Sequence, residues 1–367
     1  MKYFLVLSWL SLWWPVKQDK DQLFRISGRA QGTTYSISYI HSDSIIEKAE
    51  IDSLFRVIDL SLSLYEPRSL INQFNRDGQV KMDEHLQKVV SAALMAWKES
   101  GGCFDITVKP LVDLWGFGVK VLRNKPNDTV KNSGDAGITK IDSGKNPTNA
   151  AIKNNDSRKI PTQAAIKRAL QVTGSQYLLV RNDSLLATRK NVQIDCNGIA
   201  QGYSVDVVFN YLLQKGLKNM IVEIGGEVRA IGLNAEGVPW RVGIESPSGI
   251  TEDWHPIDEV IALDNLSVTT SGSYRKFFIH KGRRYSHIID PRSGTPVNNG
   301  IISVTVVAPD AITADAWDDG FFVMGIDTAF SCLRNYPSFG LRVIYSDSLG
   351  NIRDSSSAVF GQLKLKQ

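Results

Sequence analysis

The run Tyr285-Ser286-His287-Ile288-Ile289-Asp290-Pro291-Arg292-Ser293-Gly294 constrains this chain more than any other stretch. It holds one of only five histidines in 367 residues, and two apolar residues separate that imidazole from a carboxylate. A proline and a Ser-Gly pair then end any extended run and turn the chain back on itself, which predicts a hairpin. If 286–289 is a strand, alternation places His287 and Ile289 on one face and Ser286 and Ile288 on the other. Asp290 then falls at the strand end, where side chains reach solvent and ligands. An imidazole can move protons near neutral pH, and an aspartate can orient it or hold a metal. His287 and Asp290 are therefore candidate catalytic residues. On spacing alone, a satisfied histidine above a turn-capping aspartate is the plainer alternative.

The flanking segments add chemistry. Upstream, Ser267-Val268-Thr269-Thr270-Ser271-Gly272-Ser273-Tyr274 is β-prone and opens into a small hydroxyl-rich turn, whose N–H groups and hydroxyls suit a phosphate. Downstream, Thr313-Ala314-Asp315-Ala316-Trp317-Asp318-Asp319-Gly320 sets Asp315 and Asp319 four residues apart. On a helix they share a face one turn apart, where like charges destabilise each other. A cation between them resolves the conflict, and hard carboxylate oxygens beside a phosphate favour magnesium.

Composition excludes several classes. Hydrophobic residues make up 43% and charged residues 22%, as in ordinary globular domains. A formal net charge of +4 is too weak to imply nucleic acid. Three widely spaced cysteines, Cys103, Cys196 and Cys332, form neither a metal knuckle nor a disulfide framework. The apolar run from Tyr3 to Pro15 after a single lysine reads as a signal- or anchor-like segment over residues 1–20. It is shorter than the about 20 residues a transmembrane helix needs, and no cysteine follows for lipid attachment. Export to the cell envelope, with membrane association through this segment, is the expectation.

Taken in order, T-S-G-S-Y at 270–274, Y-S-H-I-I-D-P-x-S-G at 285–294 and A-D-A-W-x-x-G-x-x-V-M-G at 314–325 resemble the FAD:protein FMN transferases, the ApbE-like family. Further matches are Ser63-Leu64-Tyr65-Glu66-Pro67-Arg68-Ser69, Phe104-Asp105-Ile106-Thr107-Val108, and Asp195 to Asp206 with its Ile199-Ala200-Gln201-Gly202-Tyr203 centre. The resemblance spans roughly residues 24–360. It implies an α+β fold of largely antiparallel β-sheets flanked by helices, the T-fold-like ApbE architecture, forming one domain over 21–367. Residues 124–160, polar and carrying at 147–153 the first copy of a P-T-[NQ]-A-A-I-K motif that recurs at 161–167, look like an inserted surface loop.

The same resemblance implies roles. Gln31, where the family usually has methionine, and Thr33 would meet the adenine side of FAD. Tyr65 and Asp105 would meet its flavin side, and Ser69, Thr107, Gln201 and Ile288 would also bind FAD. The Ser271-Gly272-Ser273 turn would help hold FAD, and the Gly198 carbonyl with Asp315 and Asp319 would hold magnesium. Two departures stand out: Gln201 replaces the usual lysine, and Asp319 replaces a threonine. The implied reaction is magnesium-dependent transfer of FMN from FAD onto a threonine or serine hydroxyl of an acceptor protein, releasing AMP. A FAD pyrophosphatase and a non-catalytic flavin-binding envelope protein are the alternatives.

Pattern also predicts elements: a strand through 24–39, with 28–37 at its centre; helices over 45–61 and 86–100; a strand face shared by Asp105 and Thr107; hairpin strands within 178–194; a helix from 195 to 213. Strands at 260–263, 267–270, 284–289 and 302–307 are expected to complete the sheet.

Overall fold

The computed structural model describes residues 21–119, 160–247, 257–274 and 276–365. The signal-like segment, and the 124–160 insertion save its last residue, lie outside the described residues.

An eight-stranded sheet organises the molecule. In spatial order its strands are Gln22–Ala30, Thr33–His41, Met220–Ile224, Glu227–Ile231, Leu266–Gly272, Ile301–Ala308, Gly340–Ser346 and Ile352–Ser356. Every neighbouring pair is antiparallel. In Thr33–His41, Tyr35, Ile37 and Tyr39 are buried while the serines between them are less so, the period-two signature of a strand with one face on a core. The predicted strand over 24–39 is instead a hairpin. Gln31 and Gly32 take φ of 52° and 77°, the two positive values of a type I′ turn. Gly225 and Gly226, at φ of 66° and 115°, make the equivalent turn between Met220–Ile224 and Glu227–Ile231.

Helices cover one face of the sheet. Lys48–Leu62 and Ala200–Gln214 bury Phe55, Val205, Phe209 and Leu212 against Tyr35, Ile37, Tyr39 and Met220. Each such side chain contributes on the order of 1.5–3 kcal/mol on burial. The helix Ala311–Met324 crosses Ala200–Gln214 and lies on strands Leu266–Gly272 and Ile301–Ala308. It is buried on nearly every side, its carboxylates Asp315 and Asp318 included. Asp310 caps its start, accepting from the Thr313 N–H at 3.0 Å.

Three expected strands change. Residues 257–263 pair with Trp240–Glu245 in a separate two-stranded sheet, so only Leu266–Gly272 and Ile301–Ala308 join the large one. Asp105 and Thr107 sit at a 3₁₀ turn over Ile106–Val108, because Asp105 caps its own backbone through the Thr107 N–H. The 286–289 strand is broken at His287 and Ile288: Arg283–Ser286 pairs with Phe277–His280, and Ile289–Asp290 pairs with Thr295–Pro296. Pro291 does end that second strand, and Gly294 N–H closes the turn on the Asp290 carbonyl at 2.8 Å.

Candidate active site

A cavity of about 840 Å³ opens where the helices, the Gln31-Gly32 and Gly225 turns, the Tyr65 loop and the His287 segment meet. Its volume falls within the range of cofactor sites. The helix Ala311–Met324 supplies its acidic wall. Asp315, Asp318 and Asp319 stand at i, i+3 and i+4, so all three carboxylates share one face and all line the cavity. Asp315 Oδ2 accepts from the Gly202 N–H at 2.8 Å, and the Ser271 hydroxyl donates to Asp319 Oδ1 at 2.6 Å.

Burial first, then the charges of Glu227 and Asp319, hold the Asp315 carboxyl well above its usual range. Burial and its two aspartate neighbours do the same to Asp318. Burial pushes Asp319 up to about 6 against the pull of the Ser271 hydroxyl. Among the described residues no lysine or arginine forms an ion pair with the three. Three carboxylates facing one space without a cation are the electrostatic conflict that a divalent metal relieves.

The backbone at Gly198 completes the corner: a Cβ there would lie 2.6 Å from Asp319 Oδ2. No three His, Cys, Asp or Glu side chains among the described residues converge on a closed ligand cage. An open site with two carboxylates and a carbonyl nevertheless suits magnesium, which keeps waters and takes substrate phosphate oxygens. The residues present fit the ion.

His287 also lines the cavity, half-buried, its ring edge-on to Phe117 at 6.4 Å between centroids. Its Nδ1 lies 3.1 Å from the Lys276 carbonyl. A carbonyl only accepts, so Nδ1 carries the proton and Nε2 keeps the lone pair. Burial, then the Lys276 charge, pull the imidazole down to about 4, leaving it neutral at pH 7. Asp290 does not orient it. That carboxylate is committed to Arg292, accepting from its N–H at 2.9 Å, Nε at 2.9 Å and Nη2 at 3.1 Å. It faces a different depression.

The other expected residues divide. Gln31, Thr33, Tyr65, Asp105, Gly198, Gln201, Ser271, Gly272 and Ile288 all line the cavity. Gln31 Nε2 donates to Ser204 Oγ at 2.6 Å, pinning the hairpin to the helix, while its buried Oε1 has no hydrogen-bond partner. Tyr65 is 73% exposed at the rim, free to stack. Three residues do not reach the cavity. Ser69 is fully buried as the cap of Leu70–Asp77 and donates to the Ser63 carbonyl at 2.7 Å, fixing the Tyr65 loop from behind. Thr107 is fully buried, bonded to Asp105 Oδ1 and to the Gly174 N–H. Ser273 has turned back toward the carbonyls of Ile301 and Ile302.

Two roles also shift. Asp105 receives the N–H and hydroxyl of both Thr107 and Ser175, at 2.6–2.9 Å, so its side chain ties two loops together. Ser271 and Gly272 belong to the end of a strand, and the Ser271 hydroxyl is spent on Asp319 rather than offered from an open turn. Asp318 and Lys276 are cavity residues to which sequence reasoning assigned no role. The i, i+3 spacing from Asp315 was the available signal for Asp318; Lys276 carries none.

The ApbE family model matches residues 31–342. The chain belongs to the ApbE family. Relatives include the FAD:protein FMN transferase of Vibrio cholerae, 34% identical over 82% of this chain and 81% of that one. The FAD:protein FMN transferase of Haemophilus influenzae is 31% identical over 93% and 92%. Among solved structures, the flavin transferase ApbE from Vibrio cholerae superposes with a TM-score of 0.76 at 30% identity, covering 94% of this chain and 99% of that one. The ApbE protein of Thermotoga maritima gives 0.72 at 28% identity, covering 94% and 100%. This ApbE-family chain is thus an enzyme with the mixed, largely antiparallel fold of flavin transferases.

Proposed function

We propose that this ApbE-family enzyme transfers FMN from FAD to a threonine or serine hydroxyl of an acceptor protein, with magnesium and with AMP as the leaving group. One observation carries the reading: a neutral imidazole with a free Nε2 lone pair shares a cavity with a cation-seeking pair of carboxylates, Asp315 and Asp319. In the step, the acceptor oxygen bonds to the FMN phosphorus, the bond from that phosphorus to the bridging oxygen breaks, and AMP departs with the electron pair. Nε2 of His287 takes the hydroxyl proton. Its depressed basicity recovers as an anionic pyrophosphate settles beside it, because nearby negative charge favours the imidazolium.

Asp315, Asp319 and the Gly198 carbonyl would hold magnesium, which supplies charge neutralisation at the phosphates. Tyr65 gives the isoalloxazine ring a face to stack on, and Gln31 and Thr33 line the same cavity for the adenine side. The apolar Tyr3–Pro15 run supports a site of action at the cell envelope.

The test is incubation with FAD, magnesium and a flavin-acceptor domain, read by in-gel flavin fluorescence and by nucleotide chromatography. Covalent flavin on the acceptor with stoichiometric AMP is the expected result. Free FMN with an unmodified acceptor would instead make it a pyrophosphatase, and intact FAD a binder.

A further inference from the structure

The hairpin Ile289–Asp290/Thr295–Pro296 is a partition. Ile289 and Pro291 face the large cavity, while Asp290 between them faces a second, more open groove of about 360 Å³. Strand alternation produces this division, since successive side chains leave opposite faces. The groove is lined by the Arg283, Ser293, Thr295, Asn298 and Asn299 side chains beside Val297. One residue, Val323, borders both spaces. It lies four positions, about 6 Å along the axis, beyond Asp319 on the helix Ala311–Met324.

We propose that this groove docks the acceptor polypeptide, as an extended segment with a carboxylate close to its target threonine. The inference rests on the transferase reading above. Continuity through Val323 is the first argument: the groove shares this residue with the cavity that holds Asp319 and His287, and the Ile289/Pro291 face lies on the cavity side of the hairpin. Charge is the second. Asp290 is neutralised by Arg292, whereas Arg283 forms no ion pair among the described residues and lies over the Tyr285 ring, at 5.4 Å from its guanidinium carbon to the centroid. A partner segment bearing a carboxylate complements that free guanidinium. The exposed Asn298 amide offers the donors and acceptor that an extended backbone uses, beside the Ser293 and Thr295 hydroxyls, which bond each other at 3.0 Å.

The experiment compares the full chain with Arg283→Glu and Asn298→Trp, two exposed positions outside the flavin cavity. FMN transfer is followed as a function of acceptor-domain concentration, and FAD affinity is measured separately by fluorescence quenching. Both variants are expected to raise KM for the acceptor about tenfold or more at unchanged FAD affinity. An acceptor whose carboxylates beside the target threonine are replaced by lysine should regain affinity for Arg283→Glu. Wild-type acceptor KM in both variants would overturn the docking site while leaving the transferase reading intact. An acceptor left unmodified by the wild-type chain would overturn that reading, and the docking site with it.

Discussion

His287 works as a base only if its Nε2 stays free, and the Lys276 carbonyl ensures this by taking the other nitrogen. Substituting His287→Asn should lower the transfer rate by about 10²–10⁴-fold while FAD affinity stays near wild type, measured by single-turnover kinetics and titration. The same residue makes stability depend on pH. Its folded value, about 4, lies below the ordinary 6.5, so the unfolded chain binds the proton more readily. Stability from this residue is therefore full above about 6.5 and is lost as pH falls through 4. The gap in melting temperature between wild type and His287→Asn should narrow or invert on acidification across that window. Gln201 lies against the Gly225 turn, on the same cavity as the acidic wall, where the family carries lysine. Gln201→Lys should tighten FAD binding by roughly 1–3 kcal/mol, and weaker binding by titration would mean the site is built around a neutral residue.

Two helices have to meet closely for the acidic wall to face the cavity. At their crossing Gly202 admits no side chain: a Cβ would lie 2.3 Å from the Ala311 carbonyl oxygen and 2.6 Å from the Asp315 Cβ. Gly202→Ala should destabilise the fold by about 1–3 kcal/mol, as overpacking does, and push Asp315 off the Gly202 N–H. Calorimetric titration with magnesium alone should then show weaker binding, separating this effect from any loss of turnover. Much at this scale was legible beforehand. The 178–194 hairpin forms as Leu178–Arg181 and Ser184–Ala187, and the helix expected from 195 runs over Ala200–Gln214. Misread elements share a cause. In 103–111 and at His287 short apolar alternation mimics a strand, but local capping by Asp105 and the break at His287 and Ile288 decide the backbone.

For the molecule as a whole, the site ties together the sheet, both central helices and three loops, so a bound ligand must stabilise all of them at once. FAD with magnesium at a hundred times the dissociation constant should add about 2.7 kcal/mol, read as a rise in melting temperature. FAD in excess chelator should add far less, because Asp315, Asp318 and Asp319 repel a pyrophosphate unless a cation intervenes. An equal shift with and without magnesium would contradict the electrostatic account of the acidic wall.

Sequence alone determined what depends on neighbours along the chain: the turn at 290–294, the shared face of Asp315 and Asp319, the strand periodicity, and the family. Tertiary structure decided what depends on partners far away in sequence. Ser271 is 48 residues from Asp319, and Gly202 is 113 from Asp315, yet these contacts shape the acidic wall. Asp290 and Asp105 show the same limit. Their spacing is right for a site, but a carboxylate bonds whichever donors packing brings nearest, and for these two the donors are Arg292 and the Thr107–Ser175 pair.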